Sequence, residues 1–272
     1  MPEHTRIAPT PSGYLHAGNA IGFLITARLA KEQNASLRLR IDDLDAERAR
    51  PEYVNDIFES LSWLRIQCSE GPAHAADHEA SWSQDGRTPR YHELLAKLAT
   101  DHHLYACMCS RRELPACTCC DRDIALDADG VTWRLRVPDT CPVDIVGWKN
   151  NTRVDLAALM HDPVLRQRNG RPAYQIASLA DDVDHGITFI VRGADLLPST
   201  ACQLYLARLL HLDAFARIRF LHHPLVTDAA GNKLSKSEGA ASLKAMRELG
   251  RASDPLREQA DAVLAEVLVA GT

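Results

Sequence analysis

No stretch of this 272-residue sequence is apolar for long enough to span a bilayer, and the first nine residues lack the basic start and apolar centre of a secretory signal. A protein of the cytoplasm, with no membrane partner, is expected. Positive charge is not in excess: 31 lysines and arginines against 36 acids leave a net charge of -5, which excludes a broad basic coat for long nucleic acid. A local patch drawn from Arg111, Arg112, Lys233, Lys236, Lys244 and Arg247 stays compatible with that balance. Internal repeats, low-complexity tracts and flexible linkers are absent too, and the 46% hydrophobic content suffices for a substantial core in one or two domains. Nothing demands more than a monomer.

Cysteine, by contrast, is plentiful: there are eight, and five fall between Cys107 and Cys120. In a small secreted domain that density would mean disulfides; without an export signal it points to a metal. Cys107-Met108-Cys109 and Cys117-Thr118-Cys119-Cys120 bring five thiols to the two ends of a short loop, a spacing compatible with a closed tetrahedral zinc site. Cys68, Cys141 and Cys202 stand apart and read as core thiols.

The chain opens on a strand, a turn and a helix start. Residues 6–8 read as a short buried strand, Pro9 and Pro11 stop it, and Gly13 and Gly18 flank His16 just before Ile21, Leu24, Ile25 and Leu29 repeat at helical spacing. Leu37, Leu39 and Ile41 then alternate, completing the strand-helix-strand unit of a parallel sheet. Glycine at a helix start lets a ligand reach the backbone, where unpaired N–H groups and the positive end of the helix dipole favour phosphate.

Pro51 opens a second helix with Val54, Ile57, Leu61 and Leu64 on its apolar face; residues 71–90 read as polar connection and residues 91–99 as a third helix. Strand candidates at 132–137 and 143–148, and a hairpin turning at Asn169-Gly170, make a mainly β insertion. Residues 186–192 resume a buried strand, Ser199 caps a helix through Leu210, residues 218–221 form another strand, and Asp254 before Pro255 marks a last helix.

Far from the opening turn stands Lys233-Leu234-Ser235-Lys236-Ser237, followed by Glu238-Gly239. With His16-Ala17-Gly18-Asn19 it resembles the two ATP-binding signatures of class I aminoacyl-tRNA synthetases. Arg40-Ile41-Asp42-Asp43-Leu44-Asp45 and Val191-Arg192-Gly193-Ala194-Asp195-Leu196-Leu197 narrow the resemblance to the glutamyl branch. Four segments in the same order over most of the chain are far more specific than any one of them. Within that branch the chain looks most like the shortened paralogues without an anticodon-binding domain, which glutamylate the queuosine of tRNA(Asp).

The resemblance implies a Rossmann-type, doubly wound parallel sheet carrying a zinc-bearing α+β insertion and a short helical C-terminal end. Its expected divisions are residues 1–104 and 186–240 for the two halves of the nucleotide-binding domain, 105–185 for the acceptor-binding insertion, and 241–272 for the helical end. ATP, with Mg2+ on its phosphates, would meet His16, Gly18, Asn19, Asp195 and Lys236, with Lys233 assisting Lys236. A lysine ammonium can follow charge as it builds on departing pyrophosphate, and a neutral His16 can donate to a phosphate oxygen.

Glutamate would lie among Arg6, Ile7, Ala8, Pro9, Thr10, Asp42, Tyr174 and Arg192. An arginine fork suits its side-chain carboxylate, by Arg6 or Arg192, and Asp42 suits the α-ammonium. The branch usually carries glutamate where Asp42 stands, so this carboxylate falls one methylene, roughly 1.5 Å, further from the substrate. A second departure touches the metal: the paralogues place a tyrosine where Pro115 stands, and proline cannot ligate. Cys117 or Cys120 must therefore complete a set with Cys107, Cys109 and Cys119; the set Cys107, Cys109, Cys117 and Cys119 is expected.

The reaction so implied is attack of the substrate α-carboxylate on the ATP α-phosphate, then transfer of the acyl group to a hydroxyl. Two rivals remain at this stage. One adenylates glutamate or another amino acid and passes it to a carrier protein, a small molecule or a tRNA 3' end. The other is a non-catalytic ATP- or tRNA-binding sensor, against which the intact His16, Gly18, Lys233 and Lys236 speak.

Overall fold

The computed structural model describes residues 2–45, 48–110, 112–225 and 242–270. Strand β1 (His4–Ile7) leads through α1 (Ala17–Glu32) to β2 (Ser36–Leu39), and the two strands pair in parallel from His4 with Ser36 to Ile7 with Leu39. A parallel pair needs a crossover, and α1 supplies it. Helix α2 (Pro51–Trp63) starts with proline in its first turn, as does α3 (Thr88–Thr100). Between them the expected polar connection is partly helical, with single turns at His78–Trp82 and Gln84–Arg87. Asp43 organises this stretch: its oxygens meet His78 Nε2 at 3.0 Å and accept the Gln84 N–H at 2.8 Å.

The insertion holds a three-stranded antiparallel sheet, β3 (Leu104–Cys107) beside β4 (Thr132–Leu135) beside β7 (Val164–Arg166), and a hairpin of β5 (Pro142–Ile145) with β6 (Thr152–Asp155). The turn expected at Asn169-Gly170 is present, with Gly170 at φ 85°. The chain then returns through α4 (Tyr174–Asp184), β8 (Phe189–Gly193), α5 (Leu197–Leu209) and β9 (Arg219–His223), and ends in α6 (Leu243–Glu248) and α7 (Asp254–Ala270). Helix α5 begins before Ser199, with Pro198 in its first turn; the Ser199 hydroxyl accepts from Gln175 Nε2 at 3.0 Å instead of capping.

Strands β8 and β9 are parallel. Thr188 knits β8 to β1: its N–H donates to the His4 carbonyl at 2.8 Å, and its hydroxyl accepts the His4 N–H at 2.9 Å. The Thr5 hydroxyl donates to the Phe189 carbonyl at 2.9 Å. The resulting order is β2-β1-β8-β9, and residues 146–148 add to the outer edge of β9 through the parallel bridge of Gly147 to Phe220.

Side chains alternate across this sheet. Phe189, Val191 and Leu221 join Ile21, Ile25, Ile57 and Leu264 of α1, α2 and α7 in one core, whereas Ile190 and Phe220 join Ile176, Leu179, Leu204 and Leu95 of α4, α5 and α3 in another. Helices on both faces make it doubly wound. Cys141 and Cys202 are buried in the second core and Cys68 is half-buried, as expected of core thiols. Among the described residues no helix is long and apolar enough to cross a membrane.

Candidate active site

The carboxyl ends of β1 and β8 point at the start of α1, and a cleft of about 160 Å3 lies between them. Arg6 and Ile7 come from β1 and Ala8 from just after it, Gly18 and Asn19 from α1, Tyr174 from the first turn of α4, and Arg192 from β8. Seven of the residues expected at the site thus share one cavity. His16 caps α1, its backbone N–H donating to Asn19 Oδ1 at 3.0 Å, which leaves the first turn without an acidic side chain and open to an anion. Tyr174 is exposed at the rim.

His16, Pro9, Thr10, Asp42 and Asp195 do not line the cavity. Pro9 is buried behind the turn and Thr10 faces solvent. Asp195 is exposed beyond Gly193, where a Cβ would fall 2.6 Å from its Oδ1. Lys233 and Lys236 lie outside the described residues.

Beneath the cleft runs a buried chain of charges. Asp182 Oδ1 accepts from Arg6 Nε at 3.0 Å and from Arg40 Nη1 at 2.7 Å. Arg40 turns its other two nitrogens on Asp42, Nε to Oδ1 at 2.6 Å and Nη2 to Oδ2 at 3.2 Å. Burial alone would raise the Asp182 carboxyl, but Arg6, Arg40 and Arg192 hold it below the usual carboxylate range. Asp42 goes the other way, raised by burial against the pull of Arg40.

Arg192 has no such partner. Its Nη1 donates to Gln203 Oε1 at 3.0 Å and to the Thr200 hydroxyl at 3.3 Å, while Nε and Nη2 meet no acceptor among the described residues. Burial pushes its guanidinium below the usual value. The terminal nitrogens of Arg6 are likewise unclaimed by described residues, because only Nε is bonded. A cleft walled by two arginines with open donors suits a small anion with more than one carboxylate.

Seven further lining residues were not among those expected at the site, Gly22, Gly193 and His223 among them. Gly22 admits His223, whose Nε2 lies 3.1 Å from where a Cβ at Gly22 would stand. The His223 Nδ1 meets the Pro224 carbonyl at 2.9 Å, which makes that nitrogen the protonated one. Burial lowers the His223 pKa, keeping the ring neutral near pH 7.

The cysteine cluster lies in the insertion, where β3 delivers Cys107 and the loop returns Cys117 and Cys119 beside it. The sulfurs of Cys107, Cys109, Cys117 and Cys119 all lie within 4.8 Å of one another, with Cys107 to Cys117 at 3.8 Å and Cys109 to Cys119 at 3.6 Å. A tetrahedral zinc with Zn–S bonds of about 2.3 Å sets its sulfurs about 3.8 Å apart, so the four fit the ion. Cys120 is not in this set, which leaves Cys117 as the fourth donor. The thiols conflict without a cation: hydrogen bonds from its neighbours push Cys109 up to about 12, while the Met108 N–H lowers Cys119 to about 7. Arg168 Nη2 clamps the knuckle through the Met108 and Cys109 carbonyls at 2.5 and 3.1 Å.

Residues 3–119 and 128–261 match the family described as tRNA synthetases class I (E and Q), catalytic domain. A relative from Ralstonia nicotianae named glutamyl-Q tRNA(Asp) synthetase is 34% identical, the match covering 94% of this chain and 84% of the relative. One of the same name from Burkholderia cenocepacia is 36% identical over 88% of this chain and 82% of its own length. Among solved structures, a glutamate-tRNA synthetase from Elizabethkingia anophelis superposes with a TM-score of 0.70 at 22% identity, over 92% of this chain. The chain spans only 54% of that structure, and the likeness carries the fold.

Proposed function

The chain belongs to the class I tRNA synthetases of the glutamate and glutamine branch, and from that premise we propose that it joins glutamate to AMP and passes the glutamyl group to tRNA. The observation that carries the amino acid is Arg192: a buried guanidinium with two open nitrogens forms no ion pair of its own among the described residues, and a substrate carboxylate supplies one. Arg6 offers a second cation across the same cleft. Asp42 remains the acid for the α-ammonium: Oδ1 already accepts from Arg40 Nε and from Gln84 Nε2 at 3.4 Å, and Oδ2, with Arg40 Nη2 on one lone pair, keeps the other.

The α-carboxylate is already ionised and needs no general base to attack the α-phosphate of ATP. Catalysis is then placement and charge stabilisation. The start of α1, with His16, Gly18 and Asn19, receives phosphate oxygens at the positive end of the helix. Lys233 and Lys236 take the charge that develops on leaving pyrophosphate, and Asp195 holds the nucleoside. Magnesium enters with the triphosphate. Zinc on Cys107, Cys109, Cys117 and Cys119 fixes the knuckle of the insertion, residues 105–185, against the acceptor.

The names of the relatives point the acceptor to the queuosine of tRNA(Asp). ATP-pyrophosphate exchange across the twenty amino acids, followed by glutamyl transfer to tRNA(Asp) with and without queuosine, tests both halves. Exchange with glutamate alone and transfer only to the queuosine form is expected. Exchange with a different amino acid overturns the substrate; transfer to the tRNA 3' end in the absence of queuosine overturns the acceptor.

A further inference from the structure

Helix α4 runs beneath the cleft with Tyr174 at its rim, Ser178 one turn deeper and Asp182 a further turn down, all on one face. Ser178 Oγ accepts from Arg40 Nη2 at 3.2 Å, and Asp182 joins Arg40 to Arg6 through a single oxygen. Arg6, Asp182, Arg40 and Asp42 therefore form one hydrogen-bonded chain, whose Arg6 end lines the cleft and whose Asp42 end is buried beside it. We propose that Asp182 is the positioning residue of the amino-acid site, the shared carboxylate that sets the separation between the Arg6 cation and the Asp42 anion.

The inference deepens the proposed function and rests on it. Asp182 is fully buried and cannot meet substrate, so it acts through the arginines. Its Oδ1 restrains Arg6 at Nε alone, which leaves the terminal fork of Arg6 to the ligand. Its Oδ2 makes no hydrogen bond to the described residues, which means the carboxylate is not there to complete a local backbone network. A purely structural counter-ion for Arg40 would be redundant, because Asp42 already grips Arg40 with both oxygens. Asp182 also spans 176 residues of sequence to Arg6, tying the second half of the sheet to the first at the floor of the cleft. Removing its charge frees Arg6 to swing and lets Arg40 draw Asp42 away from the ammonium. Arg40 and Asp42 lie outside the cavity that Gly18 and Asn19 line, so only the Arg6 end of the chain adjoins the start of α1.

The test is steady-state ATP-pyrophosphate exchange by the full chain, with and without tRNA, for wild type, Asp182→Asn and Asp182→Glu, with a melting temperature for each. Asp182→Asn should raise the KM for glutamate at least tenfold and leave the KM for ATP within twofold. Asp182→Glu keeps the charge but pushes the carboxylate deeper by about one bond length; it should recover the melting temperature and not the glutamate KM. Equal rises in both KM values, or a glutamate KM that returns together with the melting temperature, overturns the positioning role. If Asp182→Asn does not fold, an unchanged glutamate KM in Asp182→Glu does the same. Wild type without glutamate-dependent exchange under either condition instead overturns the substrate reading, and the inference falls with it.

Discussion

Gln203 holds Arg192 by one nitrogen, Nη1, at 3.0 Å, and the other two make no hydrogen bond to the described residues, Asp182 acting on the guanidinium only through space. Phe220 closes the side opposite, its ring centroid 5.4 Å from the guanidinium carbon. The arginine is thus fixed in direction without an ion pair among the described residues, its charge answered only through space by Asp182. That is a costly arrangement in the unliganded protein, since an unpaired buried ion is destabilising by several kcal/mol.

Replacement of Arg192 by methionine, of similar length and no charge, should therefore leave the melting temperature of the unliganded protein unchanged or higher. The same change removes two charge-assisted hydrogen bonds of about 1.5–3 kcal/mol each, so the glutamate KM should rise at least about 100-fold. Thermal melts with and without saturating glutamate check both: wild type should gain stability from glutamate and the variant should not.

The metal prediction separates two neighbouring thiols. Metal analysis should find about one zinc per chain in wild type and in Cys120→Ser, and a loss of zinc in Cys117→Ser, because only Cys117 belongs to the tetrahedral set. Chelation should loosen the knuckle around Met108 and leave the β1-α1-β2 unit intact, a difference that amide exchange by segment would show.

Much of this was legible in the sequence, and the limit has a physical form. The strand-turn-helix opening, the parallel sheet and the cysteine quartet depend on residues near one another in the chain, where spacing and glycine or proline punctuation speak directly. Arg6, Tyr174 and Arg192 were found because the family resemblance names them. Asp182, Gln203 and His223 were not, since each acts through a partner set by tertiary packing, as in the 176-residue reach from Asp182 to Arg6. One signal was present. Asp181 and Asp182 sit in a helix whose neighbours Ile176, Ala177, Leu179 and Ala180 are all apolar, and acids inside such a stripe need buried cations. The choice between Cys117 and Cys120 likewise waited on loop closure, which spacing alone leaves open.

Acid should weaken the fold through two histidines. Burial lowers His222 to about 4, and burial together with Arg38 lowers His185 to about 4, both from an ordinary 6.5. Below pH 6.5 the unfolded chain takes up protons at these rings and the folded chain does not, so stability falls as pH drops from 6.5 to about 4 and levels off below. Denaturant midpoints across that window should decline in wild type and decline less in His185→Gln, which lacks one of the two titrating rings.

Gly22 tests the unanticipated wall of the cleft. Alanine is the better helix former by about 1 kcal/mol, so Gly22→Ala within α1 should not lower the melting temperature. Its methyl group would stand 3.1 Å from His223 Nε2, a contact relieved only if the ring retreats by a few tenths of an ångström. The ring cannot retreat freely, because its Nδ1 is tied to the Pro224 carbonyl. The strain should thus appear in ligand binding: a several-fold rise in the KM for ATP, which the proposed function places against this end of α1, with a stable fold. His223→Ala in the Gly22→Ala background removes the clashing ring and should return part of that loss, whereas the two changes would simply add if His223 and Gly22 acted independently. Exchange kinetics on the two single variants and the double variant decide between these outcomes.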